Sequence, residues 1–392
     1  MKLNSNYDNL KQNYLFATIE QKVAEFKANN PDRELIYMGI GDVTLPLSKT
    51  VTEATKAAAD EMATAEGFRG YGPYRGYGFL LDAIAGYYAK RGVDLCHEEI
   101  FVGDGAKTDT ACFSDIFAKE NVIAVSDPVY PVYFDSNIMD GREVVLIAAT
   151  RENGFLPMPS EDLKADVIYL CSPSNPTGAV YTKEQLKVWV DFANKNDALI
   201  LFDAAYEAYI TDPSLPRSIF EVEGSRTCAV EFCSLSKNAG FTGTRASYVI
   251  IPKELERDGK NIGKLWLRRQ STKFNGTPYI IQRATEAVFT EEGQREVAEM
   301  VGYYQENARM LVDAFTEFGI FFTGGVNSPY IWFEAPKGKT SWEFFDLLLN
   351  EVGIVSTPGA GFGVNGEGFL RLTSFNTHEN TARAVELLKK VL

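Results

Sequence analysis

The chain has 392 residues, 45% hydrophobic and 23% charged, proportions that fit a folded globular protein and exclude a disordered or fibrous one. Its 39 basic residues against 53 acidic ones leave a net charge of −14, which opposes nucleic-acid backbones and anionic membranes, so neither is expected as a partner. The five cysteines form no CxxC pair and the only histidines, His97 and His378, lie far apart, so no metal site is expected; the odd cysteine count, with no recognisable signal segment, points to a reducing cytoplasm.

A chain of this length exceeds what one hydrophobic core usually serves, and two domains are expected. Residues 1 to 45 read as irregular, with Pro31 and Gly39-Ile40-Gly41-Asp42 interrupting helical stretches and Pro46 following, and form an N-terminal arm and part of a smaller domain. From 46 to 285 short apolar runs alternate with helical patterns: Ile100-Phe101-Val102, Val122-Ile123-Ala124-Val125, Val167-Ile168-Tyr169-Leu170, Leu199-Ile200-Leu201-Phe202 and Ala229-Val230-Glu231-Phe232. That rhythm predicts a mostly parallel sheet covered by helices. No run approaches the roughly 20 residues that cross a bilayer. Residues 281 to 320 predict one long amphipathic helix, followed by strands at Tyr330-Ile331-Trp332-Phe333, Gly353-Ile354-Val355 and Phe369-Leu370-Arg371-Leu372, and a helix over 378–392. The expected fold is α/β: a large domain over 46–285, and a smaller α+β domain built from both termini, 1–45 and 286–392.

The predicted strands end in polar or turn residues, and in open α/β sheets the ligand site forms at the carboxyl ends of the strands. After the last of them comes Ser234-Leu235-Ser236-Lys237-Asn238-Ala239-Gly240-Phe241-Thr242-Gly243-Thr244-Arg245. A lysine among small hydroxyl residues suits a Schiff base, and serines with an arginine suit a phosphate, although a plain loop explains the same string. Asp203 ends an apolar strand, where a carboxylate needs a partner such as a protonated ring nitrogen, or serves as a helix cap. Asn175 is presented by the rigid turn Ser172-Pro173-Ser174-Asn175-Pro176-Thr177-Gly178. Gly103-Asp104-Gly105-Ala106-Lys107-Thr108 joins a strand to a helix whose N–H groups fit an anion. Tyr130 suits stacking on a ring or a place in the core. Arg371, among apolar residues, fits a substrate carboxylate or a structural ion pair.

Taken together and in this order, Tyr130, Asn175, Asp203, Tyr206, the Ser234-to-Arg245 run and Arg371 resemble the fold-type I aminotransferases of the class I and II group over nearly the whole chain. Within that group Tyr14-Leu15-Phe16, Gly39-Ile40-Gly41-Asp42, Tyr71-Gly72-Pro73, Asp104-Gly105-Ala106-Lys107, Asp127-Pro128-Val129-Tyr130-Pro131-Val132-Tyr133 and Lys273-Phe274-Asn275-Gly276 are similar to the LL-diaminopimelate aminotransferases. The resemblance implies pyridoxal 5′-phosphate as cofactor and ping-pong transamination between LL-diaminopimelate or tetrahydrodipicolinate and glutamate or 2-oxoglutarate. It implies that Lys237 holds the cofactor as a Schiff base and moves the proton. Asp203 then pairs with the ring nitrogen, Asn175 and Tyr206 hold the ring oxygen, and Tyr130 stacks on the ring. Ala106, Lys107, Ser234, Ser236 and Arg245 surround the phosphate, and Arg371 takes the substrate α-carboxylate. Tyr14, Gly41, Tyr71, Tyr74, Arg75, Lys107, Asn175 and Asn275 complete the substrate pocket, some of them from a partner subunit, which implies a homodimer and a place in lysine biosynthesis.

Two departures stand out. Where the diaminopimelate enzymes carry Tyr-Gly-x-Glu-Gln-Gly, this chain has Tyr71-Gly72-Pro73-Tyr74-Arg75-Gly76, without the acid expected to meet the distal ammonium. A same-scaffold aminotransferase for another amino acid is therefore an alternative, followed by a carbon–sulfur lyase and a non-catalytic cofactor-binding regulator. After Arg245, Ala246-Ser247-Tyr248 stands where a glycine is more usual, a difference expected to bear on packing.

Overall fold

Seven short strands, rich in the Val, Ile, Leu and Phe that suit a pleated buried surface, pair into one sheet in the computed structural model, which describes residues 1–10 and 15–392. Tyr14 lies outside the described residues. Across the sheet the order is Ile100–Gly103, Ser247–Ile250, Ala229–Ser234, Leu199–Asp203, Val167–Cys171, Ile123–Asp127 and Val144–Ala148. Ser247–Ile250 runs antiparallel to both its neighbours and the other pairs are parallel. The expected α/β class with a mostly parallel mixed sheet is met. Val144–Ala148 and Ser247–Ile250 were not anticipated as strands. The first is a half-exposed edge, and the second opens on a serine just after the polar Ser234-to-Arg245 run.

Alternate residues of the central strands enter opposite layers, as parallel strands covered on both faces require. Ile168, Leu170, Ile200 and Phe202 join one buried cluster, and Val167, Tyr169, Leu199 and Leu201 join another. The covering helices are capped by their own sequence. Thr182 accepts from the Gln185 amide at 3.2 Å while the Gln185 side chain accepts from the Thr182 amide at 2.9 Å.

A separate antiparallel sheet is ordered Phe322–Gly324, Tyr330–Glu334, Phe369–Thr373 and Thr357–Pro358. The stretch expected to be irregular contains a helix, Leu15–Asn29, whose Leu15, Ile19, Val23 and Phe26 fall at helical spacing and pack with Trp332, Phe344 and Leu388. Ile36–Tyr37 pairs in parallel with Ile354–Val355. Residues from both ends of the chain therefore share one core.

The single helix expected over 281–320 is two, Tyr279–Val288 and Glu291–Phe318. Thr290 ends the first, donating to the Ala287 carbonyl at 2.7 Å, and caps the second, accepting from the Gly293 amide at 3.0 Å. A threonine hydroxyl so placed replaces the backbone ladder. The last helix is His378–Leu388 and stops short of the expected 392. No helix among the described residues is long and apolar enough to cross a membrane.

Gly103, Asp127, Cys171, Asp203 and Ser234 all end their strands at one edge of the larger sheet. Ser247 opens its antiparallel strand there, opposite Gly103 and Ser234.

Candidate active site

Lys237 follows the Ala229–Ser234 strand, and its Nζ donates to the Gly41 carbonyl. Burial lowers its ammonium to about 8, against the pull of Asp42, with Arg371 and Arg245 adding to the decrease. A lysine poised there is neutral in about a tenth of molecules at pH 7, hundreds of times the share of an ordinary lysine, and a nucleophilic amine must be neutral to react. The Tyr209 hydroxyl fixes the loop by donating to the Lys237 carbonyl at 3.0 Å.

Asp203 ends the fully buried Leu199–Asp203 strand. Its Oδ2 accepts from the Tyr133 hydroxyl and its Oδ1 from the Ala205 amide at 2.9 Å. Burial pushes its carboxyl up, and these two bonds hold it down. Both donors are neutral, so the carboxylate suits a cationic ring N–H. Tyr133, whose ring stacks on Tyr169 with centroids 4.8 Å apart, had no role in the sequence reading. Tyr130 sits one turn earlier at the start of the Pro131–Met139 helix, its ring edge-on to Tyr133 at 5.6 Å.

Asn175 and Tyr206 come together: the Asn175 amide donates to the Tyr206 hydroxyl at 3.5 Å. Arg371 is 1% exposed, and donates through Nη1 to Asn175 Oδ1 at 2.6 Å and through Nη2 to the Gly39 carbonyl at 2.6 Å. Its Nε has no hydrogen-bond partner among the described residues, a buried donor suited to a carboxylate. Among the described residues no acidic side chain forms an ion pair with Arg371, which disfavours the structural ion pair. The guanidinium lies 4.4 Å from the ring centroid of Tyr330, whose hydroxyl is 2.7 Å from that of Tyr206. Gly41 completes this corner, because a Cβ there would lie 2.5 Å from the Tyr330 hydroxyl. Tyr330 was read only as a strand residue; a tyrosine at a strand start gives no sign of which phenol it will meet.

Arg245 joins Ser236 to Gly105, and Ser234 Oγ accepts from the Ser236 amide at 3.2 Å. Arg245 Nη1 contacts Ser236 Oγ at 3.4 Å and donates to the Thr242 carbonyl at 3.1 Å. A Cβ on Gly105, whose φ is +143°, would stand 1.9 Å from Arg245 Nη2, so glycine alone lets the guanidinium reach the start of the Ala106–Phe113 helix. Ala106 and Lys107 form the first turn of that helix, where N–H groups lack intrahelical acceptors. Hydroxyls, guanidinium and helix start together make a receptor for a phosphate.

The distal-pocket candidates are placed differently. Tyr71 is 90% exposed and Tyr74 48%, and Asn275 is exposed as well. Their turns adjoin, with Gln282 accepting from the Tyr77 amide at 2.9 Å and donating to the Thr277 carbonyl at 2.8 Å. Arg75, expected with Tyr74 in the pocket, instead donates to the Glu98 carbonyl and lies 4.2 Å from the Phe101 ring centroid. The two residues that depart from the expected motif therefore do different things.

The donor set fits pyridoxal phosphate: a buried lysine for the aldehyde, a buried carboxylate for the ring nitrogen, an amide and a phenol for the ring oxygen, and the Gly105–Arg245 corner for the phosphate. A family model described as aminotransferase class I and II matches residues 33–388. The LL-diaminopimelate aminotransferase of Methanosphaera stadtmanae is 53% identical, covering 100% of this chain and 99% of its own. That of Lachnospira eligens is 51% identical over 99% of both. Among solved structures, L,L-diaminopimelate aminotransferase from Chlamydomonas reinhardtii superposes with a TM-score of 0.95 at 39% identity, covering 100% of this chain and 98% of that one.

Proposed function

The chain belongs to the class I and II aminotransferases, pyridoxal phosphate-dependent enzymes that exchange an amino group between amino acids and 2-oxo acids, and we propose that its own exchange is between LL-diaminopimelate or tetrahydrodipicolinate and glutamate or 2-oxoglutarate. The observation that carries this reading is the identity of 53% over the full length with a relative of that name. Incubating holoenzyme with LL-diaminopimelate and 2-oxoglutarate and measuring glutamate tests it.

When bound, pyridoxal phosphate supplies an aldehyde for amine capture and a cationic ring that draws electron density from the substrate Cα. Asp203, held by Tyr133 and Ala205, keeps the ring nitrogen protonated. Asn175 and Tyr206 hold the ring oxygen, Tyr130 covers one ring face, and Ala106, Lys107, Ser234, Ser236 and Arg245 bind the phosphate. Arg371 takes the α-carboxylate and orients the substrate so that its Cα–H faces Lys237. The Lys237 amine, neutral in part because burial lowers it to about 8, removes that proton and later returns it.

The large segment 46–285 carries the cofactor groups in this reading, and Arg371 comes from the 286–392 segment. We place the enzyme in the cytoplasm, in lysine biosynthesis, as a homodimer. Support for the dimer is the exposure of Phe68 at 65% and Tyr71 at 90%, more apolar surface than a turn carries in isolation. Tyr14, Tyr71 and Asn275 would then reach a pocket shared between subunits.

Tyr74 favours a second reading, in which the distal pocket takes another amino acid, because a phenol stands where a carboxylate would meet the distal ammonium. A panel of amino donors scored for 2-oxo acid formation separates the two.

A further inference from the structure

Ser247 is 1% exposed and opens the one antiparallel strand of the larger sheet at the edge where the other strands end. Its Oγ donates to Asp109 Oδ2 at 2.5 Å and accepts from the Gly105 amide at 2.7 Å. A hydroxyl has one hydrogen; with it directed at the carboxylate, a lone pair is left for the amide, and the direction of both bonds is set. Asp109 is 3% exposed and belongs to the Ala106–Phe113 helix, so the pair ties the first turn of that helix to a strand 138 positions further along the chain. The fit is tight: a Cβ on Gly103 would lie 2.4 Å from Asp109 Oδ2 and 2.7 Å from Ser247 Oγ.

The Gly105 amide is consequently committed to Ser247, and the peptide on which the Arg245 guanidinium rests is pinned. We propose that Ser247 and Asp109 are positioning residues that hold the Gly105–Arg245 corner in shape for a phosphate, and so make the site selective for a phosphorylated cofactor. This rests on the assignment of the phosphate to that corner. Loss of the Ser247 hydroxyl leaves a buried amide without an acceptor and a buried carboxylate without its donor, and the turn is free to rotate away.

The test titrates the full-length apoenzyme with pyridoxal phosphate and, separately, with pyridoxal, which keeps the aldehyde and ring but has no phosphate. Ser247→Ala and Ser247→Gly each remove the hydroxyl, and the glycine variant, needing less room, serves if the alanine variant does not fold. Both are expected to bind pyridoxal phosphate about 10-fold more weakly while holding pyridoxal within about twofold of the wild type. Asp109→Asn, which retains an acceptor oxygen for Ser247, shows a smaller loss in the same direction. Unchanged affinity for pyridoxal phosphate in either folded Ser247 variant, or equal losses for the two ligands, overturns the proposal. A wild-type enzyme that does not distinguish the ligands instead overturns the phosphate assignment beneath it.

Discussion

Arg371 Nη1 donates to Asn175 Oδ1 at 2.6 Å, so the group assigned to the substrate carboxylate and the group assigned to the ring oxygen hold each other in place. The contact joins the Phe369–Thr373 strand of the smaller sheet to the turn after Val167–Cys171 of the larger one. Arg371→Lys keeps the charge but cannot span Asn175, Gly39 and a carboxylate with a planar fork. It is expected to raise KM for the amino acid by roughly 100-fold, with a smaller fall in kcat, as measured by steady-state kinetics.

The lowered lysine gives a pH signature. Lys237 is held at about 8 in the fold against an ordinary value of 10.5, so the folded apoenzyme binds fewer protons than the unfolded chain between those values. Its buried charge therefore costs stability below pH 8, and the cost is relieved as pH rises toward 10.5. The rate at which apoenzyme captures pyridoxal phosphate through this amine, followed by absorbance, is expected to fall about tenfold per unit below pH 8 and to level off above it. Lys237→Ala abolishes turnover.

Tyr133→Phe removes one of the two donors to Asp203. The carboxyl, already pushed up by burial, moves further up and would keep a proton on the ring nitrogen less effectively. The variant is expected to lose about tenfold in kcat with KM for the amino acid nearly unchanged.

Much of this site was legible in the chain because its residues sit where strands stop, and strand ends are visible as apolar runs meeting polar ones. Asp203 after Phe202 and Ser234 after Cys233 are of that kind. Contacts between segments were not legible. Nothing near Tyr330 in sequence points to Tyr206, 124 positions away. Ser247 reads in sequence only as a change from glycine that bears on packing, and its two hydrogen bonds reach Asp109 and Gly105, 138 and 142 positions away. The break at Thr290 was missed because apolar spacing continues across it while the threonine caps.

Tyr74 and Arg75 are separable by mutation. Arg75→Gln forfeits the bond to the Glu98 carbonyl and the stacking on Phe101, and is expected to cost about 1 kcal/mol in stability, read by denaturant unfolding, with the substrate profile unaltered. Tyr74→Glu is expected to raise kcat/KM for LL-diaminopimelate relative to amino acids that lack a distal ammonium.

The shared pocket predicts complementation between subunits. Lys237→Ala and Tyr71→Ala are each expected to be nearly inactive alone. Mixed dimers place an intact Lys237 opposite an intact Tyr71, so unfolding and refolding the two variants together at equal amounts restores about one quarter of wild-type activity in a two-fold symmetric dimer. Activity that stays at the level of the separate variants contradicts the shared site.

The most direct measurement of the central claim is amino transfer by purified holoenzyme from LL-diaminopimelate to 2-oxoglutarate, with glutamate quantified over time and both substrates varied. The expected result is glutamate formation that depends on Lys237, with the parallel double-reciprocal lines of a ping-pong reaction. Absence of glutamate from LL-diaminopimelate, in an enzyme that carries pyridoxal phosphate and transfers the amino group of another donor, would contradict it.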